Sequence, residues 1–113
     1  MPLHPGKWHQ YMTTELIRYR IESGQEEAFL QAYQDASAFL ARSPECINYE
    51  ILRGEEEPEN FAVIIRWKST ERHLQGFRKS AEFPAFLAAV KPFFAAIQEM
   101  KHYETQNTGT GAA

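Results

Sequence analysis

Polar and apolar residues alternate strictly from Thr13 to Ile21, with Glu15, Ile17, Tyr19 and Ile21 on one side and Leu16, Arg18 and Arg20 on the other. That period of two predicts a strand. The period then lengthens: Phe29, Ala32, Tyr33, Ala36, Phe39 and Leu40 recur at helical spacing, which predicts a helix over about Gln25–Ala41. Ser23 followed by Glu26 reads as a capping box at its start, and Pro44 stops it. Alternation returns over Cys46–Arg53, where Ile47, Tyr49 and Ile51 oppose Asn48, Glu50 and Leu52. The acidic loop GEEEPEN leads from there to Asn60–Trp67, a third strand rich in β-branched and aromatic side chains.

Beyond Trp67 the pattern shortens. Ser69 is placed to cap a short helix carrying His73, Leu74 and Phe77, and Gly76 permits a break or a close approach. Ser80 is placed to cap a further helix with the stripe Phe83, Phe86, Leu87 and Val90. Pro84 sits in its first turn, where a missing N–H costs least, and Pro92 ends it. Ile97–Glu104 alternates weakly as a fourth strand. The order β, α, β, β, α, β predicts an α+β, ferredoxin-like fold: a four-stranded antiparallel sheet with its helices on one face. If Ile17, Tyr19 and Ile21 face the helices, so do Phe61, Val63, Ile65 and Trp67, while Leu16, Arg18, Arg20, Ala62, Ile64 and Arg66 point away. Apolar residues on both faces predict that a second copy covers the far one, giving a homodimer packed sheet to sheet.

Composition narrows the classes of function. A chain of 113 residues is the size of one domain with a modest core, and its aromatic share of 13% is slightly high. Twelve basic against fifteen acidic side chains leave a net charge of -3, with no electrostatic footprint for nucleic acid. Cys46 is the lone cysteine, which excludes an intrachain disulfide and multi-cysteine metal sites and fits a cytoplasmic location. No apolar run approaches the roughly 20 residues of a membrane helix, and the N-terminal residues lack the apolar centre of a secretory signal. The expected organisation is an irregular arm over residues 1–12, one folded domain over 13–104, and a small, polar, disordered tail over 105–113.

Four segments together carry a family resemblance: ELIRYRI, SPECINYEILR, FAVIIRWKS and EMKHYE, with the block HLQGFRKSAEF before the last of them. Over about Thr13–Glu104 the chain resembles the antibiotic biosynthesis monooxygenase family, and HLQGFRKSAEF resembles one uncharacterised branch with some members linked to truncated globins. The resemblance implies a dimeric α+β barrel with a pocket between sheet and helices in each subunit. It also implies oxidation of quinol-like or anthrone-like aromatics by dioxygen, without metal or flavin. Haem-degrading relatives share Trp67, but their first-strand asparagine falls on Ile17 and their iron ligand on Phe86 or Leu87. None of these can ligate iron, so haem degradation of that kind is not expected. Many quinol-oxidising relatives carry a histidine where Gly76 stands; His73 is the nearest, and spacing does not decide whether it takes that role.

Cofactor-free oxygenation needs a base, a donor for the developing oxyanion and a dry aromatic pocket. His73 and His102 are rival candidates for the base, with Trp67 as a third catalytic candidate through its N–H. Tyr19, Tyr49, Phe77, Phe83 and Phe86 are the candidate substrate contacts. Each has a plainer reading: His73 as a half-exposed helix residue, His102 as a strand or dimer-face residue, and the aromatics as core. Arg18, Arg20 and Arg66 either bind an anion or, as the better reading, pair with Glu50 and Glu99 across the dimer. No cofactor and no metal site are expected, and the chain lacks a phosphate loop, a nucleophile elbow and a histidine pair at i, i+4. The leading expectation is thus a cofactor-independent monooxygenase acting on a small quinol-like aromatic. The alternative is a non-catalytic dimeric module that binds a small molecule, or haem passed from a truncated globin partner; an isomerase or lyase on the same scaffold is a third.

Overall fold

The computed structural model describes residues 12–113. Four strands, β1 (Thr13–Arg20), β2 (Cys46–Arg53), β3 (Asn60–Trp67) and β4 (Ile97–Tyr103), form one antiparallel sheet in the order β2-β3-β1-β4. Helices α1 (Glu26–Ala41) and α2 (Phe83–Val90) complete the ferredoxin-like βαββαβ arrangement. A π-helical turn (Arg72–Gly76) and a 3₁₀ turn (Phe77–Lys79) connect β3 to α2, and a second 3₁₀ segment (Lys91–Ala96) connects α2 to β4. The arm predicted over residues 1–12 lies, Met12 apart, outside the described residues, and no regular element follows Tyr103. Among the described residues no helix is long and apolar enough to cross a membrane.

Alternation along the central strands decides which side chains meet the helices. Ile17 and Tyr19 of β1 and Phe61, Val63, Ile65 and Trp67 of β3 are all buried, as a period of two requires when one face of a sheet is covered. Helix α1 answers with Phe29, Tyr33, Ala36 and Leu40, residues three or four apart on one stripe. Phe29 is the centre of this packing: its ring centroid lies 4.7 Å from Tyr19, 4.7 Å from Phe61 and 5.3 Å from Phe93. Strands β1 and β3 thereby fix the base of the core, and α1 closes it.

Several local expectations need correction. Ser23 does not cap α1, whose N-cap is Gln25 without a side-chain bond. The box does not form: Glu26 Oε1 instead accepts the Gly24 N–H at 2.8 Å, from a glycine with φ of 93° that a side chain would strain. The Ser80 hydroxyl donates back to the Phe77 carbonyl at 2.7 Å, so it closes the 3₁₀ turn, and Glu82 takes the N-cap of α2. Helix α2 does stop before Pro92, at Val90, and Pro92 then sits in the first turn of the following 3₁₀ segment, where its fixed φ fits. Ser69 does cap: its Oγ accepts the Arg72 N–H at 2.9 Å.

Ile47 departs from the alternation expected of β2. Cys46 pairs with Trp67 and Asn48 with Arg66, so Ile47 is the extra residue of a β-bulge and stands 47% exposed. On the face away from the helices Leu16 and Ile64 are half-buried while Leu52 and Tyr103 are exposed. The arginines there find partners within the chain: Arg18 with Glu99 at 2.8 Å, Arg20 with Glu59 at 3.9 Å, and Arg66 with the Asn48 side-chain Oδ1 at 3.0 Å. Arg18 thus meets Glu99, one of the partners expected for it, within a single chain.

Phe29→Ala empties the middle of the core and is expected to cost about 3–5 kcal/mol, as buried phenylalanine truncations do. Urea unfolding checks this, with a lower midpoint at an unchanged slope as the expected signature.

Candidate active site

A cavity of about 370 Å³ lies between the sheet and the α2 side of the helical layer. Its floor is Ile17, Tyr19 and Ile65, and its roof is Phe77, Phe83, Phe86, Leu87 and Val90. Phe94 and Met100 line it while remaining 40% and 47% exposed, which places its mouth beside β4. The volume is that of a small-ligand pocket, and such pockets combine apolar walls with a few convergent polar groups. Here the polar groups gather at one end: Glu15, Trp67, His73 and Arg78.

Sheet register assembles that end. Glu15 of β1 lies directly opposite His102 of β4, and Trp67 of β3 stands two residues along from Glu15's partner Ile65, on the same face. The Trp67 indole N–H donates to Glu15 Oε1 at 3.0 Å. Glu15 is 3% exposed, so the indole solvates a carboxyl group that water barely reaches. Burial raises the Glu15 pKa from its ordinary value, opposed by the Trp67 hydrogen bond and by the Arg78 charge. Arg78 Nη2 lies 3.9 Å from Glu15 Oε2.

The π-helical turn brings His73 over this pair. Ser69 holds the start of the turn by accepting the Arg72 N–H, while the His73 N–H donates to the Ser69 carbonyl at 3.0 Å. The His73 ring stacks on Trp67 with centroids 4.2 Å apart and planes 7° from parallel. Its Nδ1 lies 2.7 Å from His102 Nε2, and its Nε2 lies 3.4 Å from Arg78 Nε and 3.6 Å from Glu15 Oε1. Only 3% of His73 is exposed, so it is not the half-exposed helix residue of the plainer reading. Burial, with the Arg78 and His102 charges, lowers its pKa to about 3, and at neutral pH the ring is neutral. His102 is half-buried, and its pKa is also lowered, by burial and then by Arg78.

Glu15, His73 and His102 each place one ligand-type atom within 4.8 Å of the others, the composition of a two-histidine, one-carboxylate metal site. The orientations do not fit such a site. His73 turns different nitrogens toward Glu15 and His102, and the Arg78 guanidinium occupies the position facing both Glu15 and His73 Nε2. A fixed cation there opposes a second one.

Four residues along the same face of β1 from Glu15, Tyr19 shares a buried hydrogen bond with Tyr33, hydroxyl to hydroxyl, at 2.6 Å. Burial pushes the Tyr19 pKa up to about 12 and that of Tyr33 further in the same direction. Both phenols stay protonated at neutral pH.

Of the residues singled out from sequence, Trp67, His73, Tyr19, Phe77, Phe83 and Phe86 all line this cavity. His102 joins the cluster by its bond to His73. Tyr49, on β2 opposite Ile65, packs half-buried against the core and does not itself line the cavity. Three residues were missed: Glu15, Arg78 and Tyr33. A signal for Glu15 was present, since it is the one carboxylate on an inward face otherwise made of Ile17, Tyr19 and Ile21. At Gly76, where quinol-oxidising relatives were expected to hold a histidine, a Cβ would meet Glu45 Cγ at 2.8 Å, so a side chain there requires Glu45 to move. Ile17, Phe86 and Leu87 are apolar wall.

Comparison with known proteins agrees with the architecture. The family described as antibiotic biosynthesis monooxygenase matches residues 12–89. YczJ of Bacillus subtilis (strain 168), an uncharacterised protein, is 24% identical over 93 residues, which are 82% of this chain and 98% of YczJ. The structure of SnoaB, a cofactor-independent oxygenase from Streptomyces nogalater, superposes with a TM-score of 0.67 at 17% identity, covering 91% of this chain and 99% of that one. A conserved protein from Methanosarcina mazei Go1 gives 0.70 at 13% identity, covering 89% and 99%. At these identities the solved structures speak to the fold alone.

Burial of neutral His73 makes a pH-dependent contribution to stability. A lowered pKa means that the contribution is complete above the ordinary value of 6.5 and is lost as pH falls toward about 3. Glu15, with a raised pKa, acts in the opposite sense, its burial costing more as pH rises through its folded value. In His73→Gln the Glu15 effect remains while the histidine effect is gone. The stability advantage of wild type over this variant is therefore expected to shrink from pH 7 to pH 4, by at most about 1.4 kcal/mol per unit. Urea midpoints across that range measure it.

Proposed function

The chain belongs to the antibiotic biosynthesis monooxygenase family, and from that premise we propose that it is a cofactor-independent monooxygenase acting on a small, electron-rich aromatic of the quinol type. The observation that supports this most is the polar end of the cavity: a histidine nitrogen, a guanidinium and a buried carboxyl converge on one wall of an otherwise aromatic space. A planar substrate fits among Phe77, Phe83 and Phe86 with its hydroxyl toward His73 Nε2. His73 takes the phenolic proton, and the Arg78 guanidinium stabilises the phenolate that forms. Removal of that proton makes the ring electron-rich enough to reduce dioxygen. One oxygen atom replaces hydrogen at a ring carbon, giving a hydroxyquinone from a quinol or a quinone from an anthrone, and the other leaves as water, with the substrate supplying every electron. The apolar walls exclude the water that would quench the reduced intermediate.

Oxygen uptake in the presence of 1,4-naphthoquinol and anthrone tests the reading. Uptake above autoxidation, without added flavin or metal, is expected, and His73→Ala is expected to lower kcat by about 10²-fold or more. Uptake equal to autoxidation for every aromatic tried would sink it.

A second reading draws on the same histidine. A pKa of about 3 makes His73 a weak base in the free protein, which a non-catalytic small-molecule or haem-binding module, served by a truncated globin, tolerates without loss. Haem titration followed at the Soret band separates the two, since a saturable shift favours the module.

The outer sheet face, with Leu16 and Ile64 at its centre and Leu52 exposed, is proposed as the surface that a second copy covers. Light scattering on a sizing column is expected to return twice the chain mass of 13.1 kDa, and Leu16→Glu is expected to return the monomer.

A further inference from the structure

We propose that His73 and His102 form a two-imidazole proton relay that connects the cavity to solvent, with Arg78 fixing its direction. The inference rests on the monooxygenase reading for its purpose, and on hydrogen-bond geometry for its form.

Arg78 supplies the fixed point. A guanidinium has only donors, so Arg78 Nε, 3.4 Å from His73 Nε2, assigns that nitrogen as the acceptor. Glu15 Oε1, at 3.6 Å, is outside hydrogen-bond range of the same nitrogen and is already bonded to the Trp67 indole. His73 then carries its proton on Nδ1 and donates it to His102 Nε2 at 2.7 Å. His102 in turn carries its own proton on Nδ1. The chain of donors therefore runs in one direction, from the cavity wall through a 3% exposed imidazole to a half-buried one on β4, the edge strand of the sheet.

Each transfer balances. When the substrate O–H breaks, the Arg78 Nε–H leaves His73 Nε2 for the phenolate oxygen, and a new N–H forms on the freed Nε2. The His73 Nδ1–H breaks as its proton passes to His102 Nε2, and the His102 Nδ1 proton passes to water. Both rings finish neutral, with their tautomers exchanged. No imidazolium accumulates in a place where burial and the Arg78 charge make one costly. The same path run in reverse restores the first tautomers. It delivers a proton from water to the reduced dioxygen, which needs one before it can leave as water. Stacking on Trp67 holds the His73 plane fixed through both passes. His73 is the catalytic group here, and His102 acts through it.

The experiment has two arms. Long-range ¹H–¹⁵N correlation on histidine-labelled full-length protein reads the resting tautomers, with His73→Gln supplying the assignment. Expected is a His73 protonated at Nδ1 and bare at Nε2; protonation at Nε2 overturns the relay. In the second arm, His102→Ala is assayed for 1,4-naphthoquinol oxidation. Expected is a fall in kcat of about 10–100-fold with little change in KM, and recovery on adding imidazole, a response that a merely structural histidine does not give. A kcat loss that imidazole leaves untouched, in a variant with wild-type circular dichroism, also overturns it. If wild-type protein shows no uptake above autoxidation, the monooxygenase reading fails by itself, and the tautomers still decide whether the relay exists.

Discussion

One buried hydrogen bond sets the terms for the polar end of this molecule: the Trp67 indole N–H given to the Glu15 carboxyl at 3.0 Å. A carboxyl group that is 3% exposed is costly unless donors replace its water. Trp67 is one such donor, and it lies diagonally across the β1–β3 ladder from Glu15. Once the indole is held there, its flat face becomes the platform on which His73 stacks at 4.2 Å. Arg78 answers the carboxyl from the other side at 3.9 Å. Without the indole, Glu15 loses its hydrogen-bond donor and His73 the ring on which it stacks.

The rest of the cavity works by contrast. Its floor and roof are aliphatic and aromatic side chains that the sheet and α2 would bury in any case, and Phe77 meets its two ring neighbours edge to face. Phe77 stands 79° from Phe86 and 82° from Phe83, arrangements that a ring's charge distribution favours over flat stacking. A site that is apolar almost everywhere concentrates whatever electrostatics it has. The shifted pKa values of Glu15 and His73 follow from that concentration, because one desolvated end holds an acid, a base and a guanidinium together.

Much of the fold was legible because periodicity reports faces. Strict alternation in β1 and β3 placed Ile17, Tyr19, Val63 and Trp67 inward, and all four are buried. The failures share a physical origin. Ile47 follows the alternation in sequence but sits in a bulge, and a bulge is set by which carbonyls find which amides across the ladder. Ser23 and Ser80 have the right residue type for caps, yet the turns around them direct their hydroxyls elsewhere. The site was half visible: Trp67, His73 and the phenylalanines carry recognisable chemistry and Glu15 sits on the inward face, while half-buried Arg78 looks like an ordinary surface charge until the fold sets it 3.9 Å from Glu15.

Sequence alone determined the order of elements, the two faces of the sheet and the family, because each depends on local period and short motifs that survive without knowledge of neighbours. It also named two histidines as rivals for a single role. Tertiary structure decided that they are partners, bonded at 2.7 Å although 29 positions apart. Register between β1 and β4 sets His102 opposite Glu15, and a π-helical turn lowers His73 onto Trp67. Such a meeting depends on distances across the sheet, and no pattern along the chain encodes them.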